Sequence, residues 1–574
     1  MKKIQGQPLP LGVTIRERNI NFSMTVPKGK ECQLLLYKKG KSVPYVSYEM
    51  KEEDAVGEVR FLTITDIEPG KYEYNYLIDG EVVLDPYVKA LAGRRQWNHP
   101  RDIQKHEVRG ILRHEEFDWE GDSQLHIPYH KVIAYSLHVR GFTKHPSSRV
   151  KYKGTFAGVI EKIPYLQELG INQIHCMPVY EFEECQKYTN YWGYGPACFF
   201  APKSAYAAGL DAIGELKDMV KACHRAGIEV ILEMPFTAET SRQIISDCLR
   251  YYMMEYHIDG FIINPFVVSM EEIHADPILK STKILKHQEF FQNAMRRFLK
   301  GDEGMVGEVI YWLRHHSAEE GIYNYIANHT GFTLNDLVSY DCKHNEANGE
   351  NNYDGPDYNY SWNCGAEGPS RKRAVTTLRR RQIRNAFFLV LLAQGIPCIL
   401  AGDEFGNTQK GNNNVYCQDN PVGWLDWNQK EKERELFAFV KELIAFRKEH
   451  PVLSQESELQ GMDRLRCGIP DVSYHGMYAW REPIEVASRQ LGVFYCGAVA
   501  DDCDCFVAYN MHWLEHSFAL PAPAKGKRWY KIASTDEGIM NEPVRFEEQR
   551  ETVLSERTIA VFISASEKTE AVSG

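Results

Sequence analysis

The sequence lacks the features of a membrane or secreted protein. No apolar run approaches the roughly 18 residues of a transmembrane helix, and the two lysines of MKKIQGQPLPLG precede no hydrophobic stretch typical of a secretory signal. An excess of basic residues is also missing, because 67 lysines and arginines face 78 acidic residues, for a net charge of −11. The one basic cluster, residues 371–384, leads into an apolar segment and is interpreted as a solvated helix face. We therefore expect a cytoplasmic protein that binds neither membrane nor nucleic acid.

A regular spacing of cysteines is absent as well. The fourteen cysteines are scattered, most of them inside apolar runs such as IHCMPV, which is typical of buried, reduced thiols. Cys503 and Cys505 form the only close pair, and neither a second ligand pair nor a histidine accompanies them in the sequence. The sequence therefore predicts no metal site and no cofactor.

The residues that are present divide the chain into three zones. Residues 1–128 contain short alternating runs such as NINFSMTV between turn residues, which predicts a β-sandwich. Residues 129–452 alternate strand and helix patterns, and such units predict a parallel sheet closed into a (β/α)8 TIM barrel. Strand patterns return over residues 453–574, which we interpret as a second β-sandwich. The predicted fold class is multidomain α/β plus β.

Apolar periodicity indicates where the elements of the predicted barrel begin and end. Val159, Ile163 and Leu166 lie on one face of a segment predicted to be a single helix that ends at Gly170. The apolar run INQIHCMPV follows and predicts a buried strand.

One predicted strand ends on an unexpected amide. In HIDGFIINPFVV, residues 257–268, the apolar run from Phe261 stops at Asn264, and Pro265 follows. Barrel enzymes keep their catalytic groups at such strand ends. A carboxylate is the expected group there, so the amide bears directly on function.

Several segments carry a resemblance to a known family. They are VIAYSLHVRGFT, YLQELGINQIHCMPVYEF, YWGYGPACFFAPKSAYA, GFTLNDLVSYDCKHNEANGENN, NYSWNCGAEGP and AGDEFGNTQKGNNNVYCQDNPVGWLDWN. The sequence resembles the isoamylase, glycogen-debranching and pullulanase-type branch of the α-amylase superfamily, glycoside hydrolase family 13, over nearly its whole length. The resemblance implies a glycogen-binding-type N-terminal sandwich, an α-amylase-like barrel and a retaining site for α-1,6 branch points at the barrel's C-terminal mouth.

The catalytic blocks of that family can be matched to this sequence. A retaining hydrolase needs a carboxylate nucleophile and a carboxylic acid roughly 5 to 5.5 Å apart. The family's nucleophile block DGFRFD appears here as DGFIIN, which puts Ile262 at the arginine position and Asn264 at the nucleophile position. The acid block matches DPILKSTKILKHQEF and puts His287 at the general acid position. Glu308 is rejected as the acid, because its segment resembles the part of the family that follows the acid.

The stabiliser and third-strand blocks also depart from the family pattern. The stabiliser block CHDGFTL appears as NHTGFTL, with Thr330 at the stabiliser position and His329 kept. The third-strand block DVVFNH appears as EMPFTA, which contains Glu233, Thr237 and Ala238. The resemblance therefore implies that all three catalytic carboxylates have been replaced.

The magnitude of one such loss indicates an inactive site. Removing a full charge about 4 Å from a developing cation costs on the order of 4 kcal/mol at an effective dielectric near 20. Asn264 cannot form a covalent glycosyl intermediate, because that step needs a carboxylate. Asn264, His287 and Thr330 are therefore predicted to be non-functional, and Glu289 and Glu233 remain as candidates for relocated acids.

Other residues are candidates for sugar binding. Tyr194 matches the aromatic residue on which the family seats the sugar at the cleavage point, and Trp192 is its neighbour. His329 is a candidate hydrogen-bond donor to a sugar hydroxyl, with a structural histidine as the alternative. Glu404 and residues 413–418 are interpreted as either structural or outer-subsite residues.

Three functions from different classes follow. The main interpretation is a catalytically inactive relative of debranching enzymes that binds α-glucan, such as glycogen, starch or branched maltooligosaccharide, or that regulates an active debranching-enzyme partner. The first alternative is an active glycogen-debranching hydrolase that uses relocated acids. The second alternative is a pure protein-interaction module.

Overall fold

The computed structural model describes residues 1–114, 116–315 and 321–566. The chain divides into two compact units. The first unit comprises Met1–Leu125, His138–Ile163 and Cys176–Lys283, and the second comprises His126–Leu137, Pro164–His175 and Ile284–Gly574. No helix within the described ranges is both long and apolar enough to cross a membrane.

The N-terminal part of the first unit forms two antiparallel sheets. One has four strands in the order Lys2–Ile4, Val59–Thr65, Asn19–Thr25 and Gly12–Arg16. The other has the order Val46–Glu49, Cys32–Lys38, Tyr72–Ile78, Arg109–Ile111 and Leu91–Ala92, with Glu81–Val83 paired to Tyr72–Ile78. Alternate residues such as Ile20, Phe22, Leu34 and Leu36 are buried together in one core. The β-rich N-terminal region predicted from sequence is therefore present.

The first unit also contains two paired strands of the parallel sheet. Glu229–Met234 pairs with Gly260–Ile263, and Glu233 lies opposite Ile262 in this register. All residues of both strands are buried, as expected for strands covered on both faces. An antiparallel hairpin pairs Tyr180–Phe182 with Ala197–Pro202. The helices of this unit are Val139–Lys144, Phe156–Ile160, Ala212–Arg225, Arg242–Tyr256 and Met270–Ala275.

The second unit contributes three further strands in parallel order. Ala134–Leu137 pairs with Ile396–Leu400, which also pairs with Tyr323–Asn324. Lys286 and Ile322 form an isolated parallel bridge. The helices that lie wholly in this unit are Glu289–Lys300, Val306–Arg314, Leu334–Leu337, Arg373–Leu391, Asn428–Lys432 and Arg434–Glu449.

The central sheet is barrel-like and has seven parallel strands, whereas eight were predicted. Its strands are Ala134–Leu137, Gln173–Cys176, Glu229–Met234, Gly260–Ile263, Lys283–Leu285, Tyr323–Asn324 and Ile396–Leu400. Between Lys283–Leu285 and Tyr323–Asn324, the described residues form two helices and no strand. The bridge between Lys286 and Ile322 joins the two ends of this interval directly, so none of the described residues between them adds a strand to the sheet.

One predicted helix is two short helices. Phe156–Ile160 ends before Ile163–Leu169 begins, although apolar periodicity runs through both. Pro164 lies in the first turn of the second helix, where a backbone N–H has no intrahelical partner in any case. Inside a continuous helix the same proline would remove a backbone hydrogen bond, so the chain breaks just before it.

The C-terminal part of the second unit is antiparallel. A six-stranded sheet has the order Val472–His475, Gln490–Tyr495, Cys505–Asn510, Thr558–Ser566, Lys527–Ser534 and Gly538–Arg545. A two-stranded sheet pairs His516–Ala519 with Glu551–Leu554. Large side chains including Phe494, Phe506 and Trp529 are buried in a shared core. The return of strands after the barrel, predicted from sequence, is therefore present.

The cysteines lie within the described ranges, and all fourteen are free thiols, as the sequence predicts. The fold adds one contact, because Cys503 Sγ lies 3.6 Å from His450 Nδ1. The two residues are 53 positions apart in sequence, which is why the local pattern did not indicate the contact.

The basic cluster of residues 371–384 is only partly a solvated face. Arg379 is buried, and its guanidinium donates to the carbonyls of Asn363, Ala366 and Gly368, with 2.8 Å to Gly368. Carbonyls at the ends of a loop need such donors when water cannot reach them. Arg379 therefore anchors the loop that precedes its helix.

Candidate functional site

The predicted nucleophile position lies just beyond a strand, as expected. Asn264 is the first residue after Gly260–Ile263, and its side chain is exposed. Its Oδ1 accepts the backbone N–H of Phe266 at 3.0 Å, and its carbonyl accepts those of Val267 and Val268. An asparagine that caps its own turn in this way has a local structural role. The carboxamide is therefore held by the backbone of the loop that it starts.

The residue at the predicted arginine position belongs to the apolar core. Ile262 is buried, and it lies opposite Glu233 in the parallel register. Residues paired in this way point to the same face of the sheet. A buried carboxylate thus has an aliphatic strand neighbour where the family has a guanidinium. The other third-strand departures lie in the loop beyond, where Thr237 bonds Glu239 at 2.6 Å and Ala238 is exposed.

Glu233 and two aromatic residues form a group at the end of Glu229–Met234. The hydroxyl of Tyr194 donates to Glu233 Oε1. The rings of Trp192 and Tyr194 meet edge to face with centroids 5.8 Å apart. We call Trp192, Tyr194 and Glu233 the aromatic–carboxylate group. Trp192 is 7% exposed and packs as a core residue, whereas Tyr194 is only half-buried.

The loop around Tyr194 is held by two specific features. Asn190 accepts the N–H of Gly193 at 2.9 Å and donates to the carbonyl of Tyr194 at 2.8 Å. Gly193 has φ +88°, and a Cβ there would lie 2.4 Å from the ring of Phe182. Only glycine fits this position without displacing the ring. The sequence YWGY therefore fixes where the tyrosine is presented.

The predicted acid position is built by the second unit. His287 follows Lys283–Leu285, is exposed, and has its Nδ1 2.7 Å from the hydroxyl of Tyr323. Its ring centroid is 5.7 Å from that of His329. Glu289 is the first residue of Glu289–Lys300 and is exposed to solvent, as a carboxylate at a helix N-terminus commonly is.

The predicted stabiliser position is exposed beside a buried histidine. Thr330 donates to Asn328 Oδ1 at 3.2 Å, and His329 is 5% exposed. Arg296 stabilises this segment, because its guanidinium donates a hydrogen bond to the carbonyl of Ile326 at 2.7 Å. Burial lowers the pKa of Arg296 to about 10, so it remains charged at neutral pH. The loop is therefore positioned by a buried cation.

Two tyrosines beside His287 were missed in the sequence. Tyr323 bonds His287, and the ring centroid of Tyr325 lies 6.3 Å from that of His287. Burial raises the pKa of Tyr325, and the charge of Glu289 adds to this shift. The segment IYNY spaces the two tyrosines by two, which puts them on one face of an extended chain. That period of two was the available signal.

Glu404 is structural. Its side chain is fully buried and accepts hydrogen bonds from the hydroxyls of Tyr135, at 2.8 Å, and Tyr165. The N–H of Gly402 donates to its second oxygen at 3.0 Å. Burial raises the pKa of this carboxyl. With its described acceptors occupied by protein donors, Glu404 serves the packing of the loop.

Residues 413–418 also take part in a network of hydrogen bonds within the protein. Asn413 is fully buried and exchanges hydrogen bonds with Asn345, at 2.8 and 3.0 Å. Its side chain also donates to Asn359 at 2.9 Å. Gln418 donates to Asn348 at 2.7 Å. These amides tie separate loops together, so the structural interpretation of this segment is favoured over an outer subsite.

Glu308, rejected as the acid, lies on Val306–Arg314 and is exposed.

The chain is similar in sequence to known proteins. Residues 139–237 match the family model described as the α-amylase catalytic domain. The chain is 32% identical to Isoamylase 1, chloroplastic, of Arabidopsis thaliana, over 92% of this chain and 84% of the relative. It is 28% identical to the Glycogen operon protein GlgX homolog of Mycobacterium tuberculosis, over 94% of this chain and 93% of that protein.

A solved structure has the same fold. Pullulanase type I of Bacillus subtilis, complexed with maltose, has a TM-score of 0.72 and 20% identity to this chain. The match covers 97% of this chain and 85% of the pullulanase. Together with the sequence identity to the plant isoamylase over most of both chains, these findings show that the chain belongs to the isoamylase and glycogen-debranching branch of glycoside hydrolase family 13.

Proposed function

We propose that this chain recognises branched α-glucans, with Tyr194 as a sugar-stacking residue. The observation that carries the proposal is the aromatic–carboxylate group, in which a half-buried tyrosine is held against Glu233. An aromatic face suits the apolar side of a glucose ring, and a carboxylate accepts from sugar hydroxyls. Maltose bound to the B. subtilis pullulanase supports a glucan ligand for this fold.

The first candidate activity is hydrolysis of α-1,6 bonds, and the comparisons favour it over inactivity. One relative is named an isoamylase and aligns over 92% of this chain, and another is named a glycogen debranching enzyme and aligns over 79% of it. Under this proposal Glu233 and Glu289 supply the carboxyl chemistry that Asn264, His287 and Thr330 do not.

Release of reducing ends from pullulan or glycogen limit dextrin tests this activity. We expect Glu233→Gln and Glu289→Gln each to lower the rate at least about a hundredfold, because each removes a carboxyl from acid–base or nucleophilic chemistry. Glu308→Gln, at an exposed carboxylate on a neighbouring helix, is the matched control and keeps the rate. A wild-type chain that releases no reducing ends contradicts the hydrolase proposal.

The second candidate is glucan binding without cleavage. It is favoured by the side chains at the three predicted catalytic positions, which are a turn-capping carboxamide, an imidazole bonded to a tyrosine and a threonine hydroxyl. None of these groups is a carboxylate, and a retaining site requires a carboxylate nucleophile. In this role the chain would hold glucan for an active debranching partner.

Asn264→Asp tests whether the nucleophile position has been catalytically abandoned, which both candidates assume. Aspartate accepts the same Phe266 N–H, so the variant is expected to fold and melt as the wild type does. If Asn264 lies at a catalytically abandoned position, hydrolysis stays at the wild-type level, because Ile262 and His287 are unchanged. Asn264→Ala, which loses the turn hydrogen bond at a cost of about 1 kcal/mol, is the stability control. A gain of pullulan hydrolysis in Asn264→Asp contradicts this expectation.

Tyr194→Ala tests glucan recognition independently of cleavage. We expect the variant to bind glycogen or amylopectin about tenfold more weakly than the wild type, since a sugar–aromatic contact is worth roughly 1 kcal/mol or more. Affinity electrophoresis through gels that contain either glucan measures this change as a smaller retardation of the variant. Tyr194→Phe keeps the ring and loses only the bond to Glu233, so it is expected to lie between the two. Wild-type chain that migrates without retardation contradicts glucan recognition and favours the interaction-module alternative.

A further inference from the structure

A separate cluster of ligating side chains lies in the second unit. His450 follows the last residue of the helix Arg434–Glu449, and Asp502 and Cys503 precede the strand Cys505–Asn510. One nitrogen, one oxygen and one sulfur from these side chains all lie within 4.8 Å of one another. None of the three belongs to the predicted catalytic or sugar-binding residues.

The separations within this cluster match the edges of a tetrahedral metal site. His450 Nδ1 is 3.1 Å from Asp502 Oδ1 and 3.6 Å from Cys503 Sγ. Zinc bonds of about 2.0 to 2.1 Å to nitrogen and oxygen and about 2.3 Å to sulfur imply N···O and N···S edges of about 3.3 and 3.6 Å. Two of the three edges therefore match those of a zinc site, and the third, between the oxygen and the sulfur, is no longer than 4.8 Å.

The arrangement does not suit a nucleophilic cysteine. In a cysteine–histidine–carboxylate triad, the thiol and the carboxylate bind opposite nitrogens of the imidazole. Here Asp502 and Cys503 both face the Nδ1 of His450. Three donor atoms that converge on one point serve a cation better than a proton relay.

Backbone contacts hold the ligands in place. Asp502 Oδ1 accepts the N–H of Cys503 at 2.6 Å, and Oδ2 accepts that of Val452 at 3.3 Å. The ring of His450 packs against Phe446 with centroids 4.4 Å apart. Such outer contacts orient first-sphere ligands in protein metal sites. The side chains of His450 and Asp502 are only 16% and 9% exposed, which limits competition from bulk water.

The ligand set selects among metals. Calcium and magnesium prefer oxygen ligands, whereas imidazole and thiolate favour zinc and related transition ions. We propose that His450, Asp502 and Cys503 bind one Zn²⁺, with water as the fourth ligand. The ion links the end of Arg434–Glu449 to the start of Cys505–Asn510, so it stabilises the junction between the last barrel helix and the C-terminal sheet.

Metal titration of the full chain after chelator treatment tests this proposal. We expect one equivalent of Co²⁺ to produce a thiolate-to-cobalt absorption band in the near ultraviolet, and one equivalent of Zn²⁺ to remove that band and raise Tm. Cys503→Ser is expected to lose the band, and His450→Ala to lose the zinc-dependent rise in Tm. Circular dichroism and glycogen-gel retardation check that each variant folds, because these ligands lie outside the proposed glucan-binding group.

Cys467→Ser is the matched control, because Cys467 is an exposed thiol outside the cluster. Its cobalt band and zinc-dependent Tm shift are expected to equal those of the wild type. The proposal is overturned if the wild-type chain binds no stoichiometric metal, or if the cobalt band persists in Cys503→Ser. If Cys503→Ser fails to fold, His450→Ala decides, since a full zinc-dependent Tm shift in that variant also overturns the site.

Discussion

Arg447→Met is expected to lower the free energy of unfolding by on the order of 4 kcal/mol. Arg447 is 1% exposed, and its guanidinium donates to the carbonyls of Leu391, Ala393 and Gly395 at 2.7, 2.6 and 2.8 Å. Burial lowers the pKa of Arg447 to about 10, so the group stays charged at pH 7. Methionine fills much of the space but leaves three buried carbonyls without donors. Differential scanning calorimetry and denaturant midpoints measure the effect.

The loss of stability should be specific to the buried guanidinium of Arg447. Lys441→Met, at an exposed position on the same helix, is the matched control and is expected to change stability by less than about 0.5 kcal/mol. Arg447→Lys keeps the charge but cannot reach all three carbonyls, and an intermediate loss is expected. An Arg447→Met chain that is as stable as Lys441→Met would show that the carbonyls find other donors.

Lys203→Met is expected to have the second large effect, a loss of roughly 3 to 5 kcal/mol. Lys203 is fully buried at the end of Ala197–Pro202, and its Nζ lies 2.7 Å from Glu181 and 2.6 Å from Glu184. It also donates to the carbonyl of Phe182 at 2.6 Å. Methionine leaves two buried carboxylates close together, with Arg94, which is already paired with Glu183, as the remaining nearby cation. Thermal melting and protease resistance of this unit measure the loss.

A variant that neutralises Lys203 and both glutamates distinguishes buried unpaired charge from lost packing as the cause of the destabilisation. The triple variant Lys203→Met, Glu181→Gln, Glu184→Gln is expected to recover at least half of the loss, because no uncompensated charge remains buried. Lys187→Met, at an exposed lysine in the same segment, is the control and is expected to be neutral. Equal destabilisation of the single and triple variants would assign the effect to packing instead.

The predicted barrel elements were largely found because their sequence patterns are local. INQIHCMPV contains the strand Gln173–Cys176, and the run before Asn264 contains Gly260–Ile263. Their burial requires continuous apolar residues, which a sequence displays directly. The strand count was not local information. The bridge between Lys286 and Ile322 depends on two distant segments meeting, so eight strands were predicted where the described part of the chain forms seven.

The candidate site likewise has features that local sequence predicts and features that depend on distant contacts. The position of Asn264 beyond a strand followed from one apolar run and one amide. That Tyr194 is held by Glu233, and that His287 meets Tyr323, depended on contacts across 39 and 36 residues. The exposed state of Asn264, His287 and Thr330 likewise depends on the packed chain around each residue.

By itself, the sequence determined the order of strands and helices, the β-rich ends and the family, because apolar periodicity and motif order are properties of neighbouring residues. Only the tertiary structure decided what the buried polar groups do. Glu404 bonds Tyr135 across 269 residues, and His450 meets Cys503 across 53. A buried polar side chain must find a partner wherever the fold supplies one, and local sequence carries no record of that choice.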